Sequence, residues 1–214
     1  ILVMLLLGGY GLYTLRMNVS SEKPRAIEGY EIWDADIVES ARDVTVQDGG
    51  RIKPFSTWSG FTMLKLHGAR GMKIEVDDKV AKISPEEFML DCLFRPYLAR
   101  ELPIFRIDNS EVISSLATGD LPEEVQRLSG IDNDSKNEAI REVVKGKDRR
   151  DRYSYAELEP IAPILFARVQ KIRKDQPEKA KMTSAQRDAV DLGEKLWMFT
   201  GLIYHMDFAR ADIE

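Results

Sequence analysis

The sequence predicts an α+β fold, mostly helical with short strands and a β-hairpin, led by a single N-terminal transmembrane helix. Three observations predict it. The first fifteen residues read ILVMLLLGGYGLYTL, with no charge before Arg16. Asp48-Gly49-Gly50 lies between short alternating segments, and paired glycines permit the positive φ angles of a tight reversal. The second half repeats apolar residues at helical spacing behind helix-capping signals.

Composition narrows the function classes. The chain has 214 residues, 43% hydrophobic and 31% charged, enough for a packed core. Its formal net charge is −5, and its basic residues are scattered or paired with acids, which argues against nucleic acid as a partner. No Gly-rich phosphate loop is present. The single cysteine, Cys92, excludes an intrachain disulfide and the Cys-x-x-Cys-His attachment site of a c-type haem. Cys92 sits among Phe88, Met89, Leu93 and Phe94 and reads as a buried, inert thiol.

In chain order, residues 1–16 are expected to form the membrane anchor. Its apolar run is shorter than the roughly 20 residues that span a bilayer. No Ala-x-Ala cleavage site follows and the chain opens without methionine, so the run is read as part of a longer signal-anchor helix. Gly8, Gly9 and Gly11 would let it pack closely on another membrane helix. Residues 17–43 read as a polar, irregular tether, with Tyr30 and Trp33 at the membrane interface or anchoring the tether to the domain. Residues 44–214 form the α+β domain, ending in a helical pair.

Within that domain Val44 and Val46 alternate with polar neighbours as in a half-buried strand. After the Gly49-Gly50 turn, Arg51 and Lys53 are expected on one face of a second strand and Ile52 on the other. Pro54 ends that strand. Ser56 or Thr57 is expected to cap a helix carrying Trp58, Phe61, Met63, Leu64 and Leu66, which Gly68 stops. Strands are expected at 72–76 and 80–83, around Asp77-Asp78. A helix capped by Ser84, with Pro85 and two early acids, should run to Phe94. A strand at 104–107, a short helix from Asn109-Ser110 to Leu116 and another near 122–128 follow. Residues 132–151 are charge-dense and read as a mobile surface excursion. Ser154 caps a helix with Leu158, Ile161, Ile164, Leu165, Val169 and Ile172 at helical spacing. Thr183 or Ser184 caps the last helix, where Gln186 completes a capping box and Val190, Leu196, Trp197, Ile203 and Met206 line one face. The short linker makes these two helices antiparallel.

Val46-Gln47-Asp48-Gly49-Gly50-Arg51-Ile52-Lys53-Pro54-Phe55-Ser56-Thr57 resembles a segment in the extracytoplasmic part of system II (Ccs/Res-type) cytochrome c assembly proteins. Arg152-Tyr153-Ser154-Tyr155-Ala156-Glu157-Leu158 resembles the start of a later helix in the same proteins, and Leu93-Phe94-Arg95-Pro96 fits between the two. The resemblance spans Val44 to Leu158. One departure is Ser56, where those proteins carry an acid; serine can cap a helix as well as an acid, but cannot supply negative charge. The resemblance implies an extracytoplasmic domain at the cytoplasmic membrane that positions haem or apocytochrome c beside a polytopic membrane partner. The alternative is a non-catalytic, single-span structural subunit of a larger electron-transfer or photosynthetic complex.

Candidate chemistry is sparse. The chain has two histidines, His67 and His205, the candidate haem ligands. For His67 the competing role is to complement the C-terminal dipole of its helix. His205 and Met206 point about 100° apart on a helix, so they cannot both ligate one iron from opposite sides. Neither a nucleophile elbow nor zinc-ligand spacing occurs, so no catalytic constellation is read. Docking falls to the motif residues Gln47, Asp48, Gly49, Gly50, Arg51, Lys53, Pro54, Thr57 and Trp58. Arg51 and Lys53 beside Trp58 can hold an anion such as a haem propionate. The favoured alternative is that Arg51 binds Asp48 or a backbone carbonyl and fixes the hairpin. Some of Trp197, Phe199, Leu202 and Tyr204 on the last helix should also face outward, since they exceed one buried stripe.

Overall fold

The computed structural model describes residues 24–107, 110–147 and 152–204. Short strands hold a mostly helical core. Strand β1 (Arg25–Ala26) pairs parallel with β4 (Met72–Val76), which pairs antiparallel with β5 (Lys79–Ile83). Asp77 and Asp78 form the β4–β5 turn in the left-handed region, at φ 49° and 60°. Helix α1 (Ala35–Arg42) precedes a separate hairpin of β2 (Thr45–Asp48) and β3 (Arg51–Pro54). The hairpin leads straight into α2 (Phe55–His67).

Helix α3 (Pro85–Phe94) starts where the sequence predicts. Ser84 Oγ accepts from the Glu87 N–H and Glu87 Oε2 accepts from the Ser84 N–H at 2.8 Å, a reciprocal cap. After α4 (Pro96–Ala99), β6 (Phe105–Arg106) pairs with β7 (Arg152–Tyr153). Between these two strands lie α5 (Ser110–Ser115), α6 (Glu123–Ser129) and α7 (Asn133–Val144). Helix α8 (Tyr155–Leu158) turns through a 3₁₀ segment (Glu159–Ile161) into α9 (Ala162–Asp175), and α10 (Ser184–Tyr204) closes the described chain.

Helices α9 and α10 lie side by side. Arg173 meets Glu194 at 2.7 Å while Tyr204 reaches back to Glu159, so the two run antiparallel as expected. A Cβ at Gly193 would stand 2.9 Å from the Val169 side chain, so this glycine leaves room for Val169 to pack against α10. Phe199 carries the packing inward: its ring meets Phe88, Phe105 and Tyr155 with centroids at 6.2, 5.6 and 5.3 Å.

Four expectations are corrected. Among the described residues no helix is long and apolar enough to cross a membrane, so the single transmembrane helix is not part of the described fold. The run at 1–16 on which it was placed lies outside the described residues. Residues 24–43 are not an irregular tether: they contribute β1 and α1 and bury Tyr30 against α3. Residues 133–144 are not an excursion but helix α7, because Asp132 and Ser135 form a capping box and Ile140 and Val143 are buried one turn apart. Trp197 does not join the buried face of α10; it is 74% exposed, while Val190, Leu196 and Ile203 are buried. Met206 lies outside the described residues.

Candidate docking site on the hairpin and helix α2

Gly49 and Gly50 take φ angles of 57° and 74°, a two-residue turn that matches the right-handed twist of β2 and β3. A Cβ at either glycine would meet nothing within 4 Å, so any substitution penalty comes from the backbone conformation alone. Gly50→Val should therefore lower stability by about 1–3 kcal/mol. An unchanged urea midpoint would refute this reading of the turn.

The two faces of the hairpin separate as the alternation predicts, but their burial is the reverse of what an apolar Ile52 suggests. Val46 and Lys53 are paired and half-buried, on the face that Phe55 continues into the core. Ile52 lies on the opposite face with Thr45, Gln47 and Pro54, all exposed, and is itself 76% exposed. The ion pair also differs from the expectation. Lys53 Nζ, not Arg51, binds Asp48 Oδ2 at 2.6 Å, and Arg51 has no carboxylate partner among the described residues. Lys53 and Asp48 are thus struts of the hairpin.

The hairpin is seated firmly on α2. The Phe55 N–H donates to Val44 O at 2.7 Å, the buried Phe55 ring lies 5.9 Å from Trp58, and Ser59 Oγ donates to Phe55 O at 2.7 Å. The helix begins two or three residues earlier than expected, with Pro54 at the cap position and no capping side chain, so neither Ser56 nor Thr57 caps it. Instead Ser56 and Thr57 line an open groove of about 400 Å³ along α2, with Gly60, Phe61, Arg42 and Arg70. Arg70 lies over the exposed Phe61 ring at 5.1 Å, and Arg42 is shared between Glu39 and Glu86. Gly68 ends α2 at φ 84°, as predicted.

The second motif segment secures the other end of α2. Arg152 Nη1 donates to His67 O at 2.8 Å, supplying an acceptor-rich helix terminus with a charged donor. Ser154 and Glu157 form a reciprocal cap, and Glu157 also takes Arg25 at 2.7 Å and Lys147 at 2.8 Å. Burial alone would raise the Glu157 carboxyl, but these cations and the Ser154 N–H outweigh it and hold the group below the usual carboxylate range. Its contribution to stability is present at neutral pH and is lost as pH falls through that lowered value.

Of the two candidate haem ligands, His67 is buried in the last turn of α2. It lines a cavity of about 280 Å³ with Arg106, Asp188, Asp191, Leu192 and Lys195. The rim is balanced in charge, and Lys195 is already paired with Asp191 at 2.7 Å. His205 lies outside the described residues. Among the described residues no group of three or more His, Cys, Asp or Glu side chains is gathered where it could hold a metal ion.

One contact network was missed by sequence reasoning. Asp91, fully buried on α3, accepts from Tyr30 Oη at 2.6 Å and from Trp33 Nε1 at 2.8 Å. Arg95 stacks on the Trp33 ring at 3.7 Å and donates to Glu31 O at 2.7 Å. The available signal was a lone acid in the apolar stretch Phe88–Phe94, a position that a folded chain occupies only when the acid is satisfied. Comparison with family models, curated proteins and solved structures found no match.

Proposed function

We propose that this chain is a docking domain of the cytochrome c assembly type. It acts on the extracytoplasmic side and presents its glycine hairpin to a partner polypeptide while haem or apocytochrome c is positioned at a polytopic membrane partner. The observation that carries this reading is Ile52, an apolar side chain 76% exposed on a hairpin whose Lys53 and Asp48 are paired and which leads into the buried Phe55. A hairpin built this firmly, yet offering its apolar residue to solvent, is suited to contact rather than to closing a core. The two segments that carry the resemblance support it, since one enters α2 and the other clamps its end through Arg152. Ser56 lines the groove with Arg42, which Glu39 and Glu86 already share, and with Arg70, the cation that the acid of the resembling proteins would meet there.

Ile52→Asp should leave the melting temperature unchanged, because an exposed side chain contributes within about 0.5 kcal/mol. In cells it should reduce covalent haem in c-type cytochromes by roughly tenfold, the loss expected on removing an interface anchor. Unaltered haem staining at normal domain levels would refute the proposal. A second reading, a structural subunit packed through its last helix, is favoured by the 74% exposure of Trp197. Trp197→Ser dissociating a complex that Ile52→Asp leaves intact would favour it.

A further inference from the structure

We infer that residues 28–37, with Phe94 beside them, form a second docking surface, which takes a basic segment of a partner polypeptide carrying an apolar anchor. It stands on residues other than the hairpin and goes beyond the docking reading above. The charge pattern is one-sided. Residues 26–41 hold five acids, Glu28, Glu31, Asp34, Asp36 and Glu39, and neither lysine nor arginine. The basic residues at either end are engaged: Arg25 with Glu157 at 2.7 Å and Arg42 with Glu39 at 3.2 Å. Glu28, Glu31, Asp34 and Asp36 are exposed, and no ion pair among the described residues includes them. Asp34 caps α1 and Asp36 complements its dipole in the first turn. Glu28 and Glu31 lie outside any helix, so capping does not account for them.

The apolar part lies among these acids. Tyr30 is buried, whereas Ile32 is 57% exposed and Ile37 48% exposed. The Trp33 ring between them is held in place. Its Nε1 donates to Asp91, Arg95 stacks on it at 3.7 Å, and Phe94 meets it at a steep angle with centroids 6.4 Å apart. Phe94 is itself 48% exposed. A fixed aromatic ring beside exposed apolar side chains loses little conformational freedom on binding, as an interface anchor site requires. Arg95 is one cation against four acids, and it is already engaged by Trp33 and Glu31 O. This acid-framed apolar surface therefore attracts lysine and arginine. It repels an anionic bilayer, and in a chain of net charge −5 it repels a second copy of itself. A neutral partner would desolvate the carboxylates without supplying cations, a cost that a basic segment avoids.

The probe is the fluorescein-labelled peptide Lys-Leu-Lys-Phe-Lys-Leu-Lys, added to the full chain and read by anisotropy. The controls are Glu-Leu-Glu-Phe-Glu-Leu-Glu and Lys-Gly-Lys-Gly-Lys-Gly-Lys. The probe should bind at least about tenfold more tightly than either control, and more weakly as salt rises. Ile32→Ser should weaken it roughly tenfold at unchanged melting temperature. Glu28→Gln with Glu31→Gln should weaken it about fivefold and flatten the salt dependence. Glu142→Gln with Glu178→Gln removes the same charge from other elements and should leave binding unaltered. Equal loss in the two glutamine pairs shows that net charge alone attracts the peptide, and overturns the site. Equal binding of either control, or of Ile32→Ser, overturns it as well. Ile32-dependent binding to phosphatidylcholine vesicles, with none to the basic peptide, shows a lipid surface and overturns the partner assignment. Ile52→Asp should bind the probe as wild type does. Loss in that variant places the basic segment on the hairpin, so this surface falls and the docking reading stands. If Ile52→Asp leaves cytochrome maturation normal while the Ile32 and glutamine effects appear, the hairpin reading falls and this surface stands.

Discussion

Phe199→Ala should lower the unfolding free energy by about 3–5 kcal/mol, the range for truncating a fully buried phenylalanine. Phe199 is fully buried and touches three aromatic rings from three different elements: Phe88 on α3, Phe105 on β6 and Tyr155 on α8. Each such pair adds about 0.5–1.5 kcal/mol beyond area burial. The ring therefore joins the C-terminal helical pair to the first half of the chain. A domain of this size is stable by only about 5–15 kcal/mol, so the variant should lose a large share of that margin. Urea unfolding of wild type, Phe199→Ala and Phe199→Leu checks it. The leucine variant should recover most of the loss, since it restores apolar volume. A midpoint for Phe199→Ala within about 1 kcal/mol of wild type, at equal m-value, would show that the two halves are not joined here.

Most of the local chemistry was legible in the sequence where side chain and backbone partner lie within four residues. Ser84, Ser154 and Thr183 each form the reciprocal cap their neighbours announce, with Glu87, Glu157 and Gln186 as partners. The glycine turn and the Gly68 stop were legible for the same reason. Helix α7 was hidden because its charge density masks a narrow apolar seam of Ile140 and Val143. Its Asp132–Ser135 cap was present in the sequence and outweighed by composition.

The docking face was legible in position but not in orientation. Alternation separates Ile52 from Arg51 and Lys53, but it does not say which side meets the core. Phe55 decides that: it shares a face with Lys53, and its burial draws the charged side inward and leaves Ile52 outside. Counting back from Phe55 rather than forward from Val44 would have given the observed arrangement. The Asp91 contacts were beyond local reading, because Tyr30 and Trp33 lie 61 and 58 residues away in sequence. Only the tertiary fold brings them together.

That network gives the second large effect, and it separates burial from hydrogen bonding. Burial raises the Asp91 carboxyl to about 6, against the opposing pull of Tyr30, Trp33 and Arg95 and with a small further push from Glu87. A carboxyl raised above its unfolded value stabilises the fold fully below the unfolded value and loses that contribution as pH rises through about 6. Each tenfold change in proton affinity is worth about 1.36 kcal/mol, so the loss between acid and neutral pH is about 2–3 kcal/mol. Asp91→Asn should abolish this dependence while keeping both contacts: Asn Oδ1 accepts from Trp33, Asn Nδ2 donates to Tyr30 Oη, and no buried charge remains. The asparagine variant should then melt higher than wild type at pH 7.5 and converge with it near pH 4.5. Asp91→Ala should do the opposite at every pH, losing about 2–4 kcal/mol because the Tyr30 hydroxyl and Trp33 indole N–H lose their acceptor. Glu157 works in the reverse direction, so the decisive quantity is the difference between variant and wild-type melting temperatures across the pH range, not either curve alone. Parallel curves for wild type and Asp91→Asn would show that the buried carboxylate carries no charge penalty. A mild Asp91→Ala effect would show that residues 24–34 are not held to α3 through this acid.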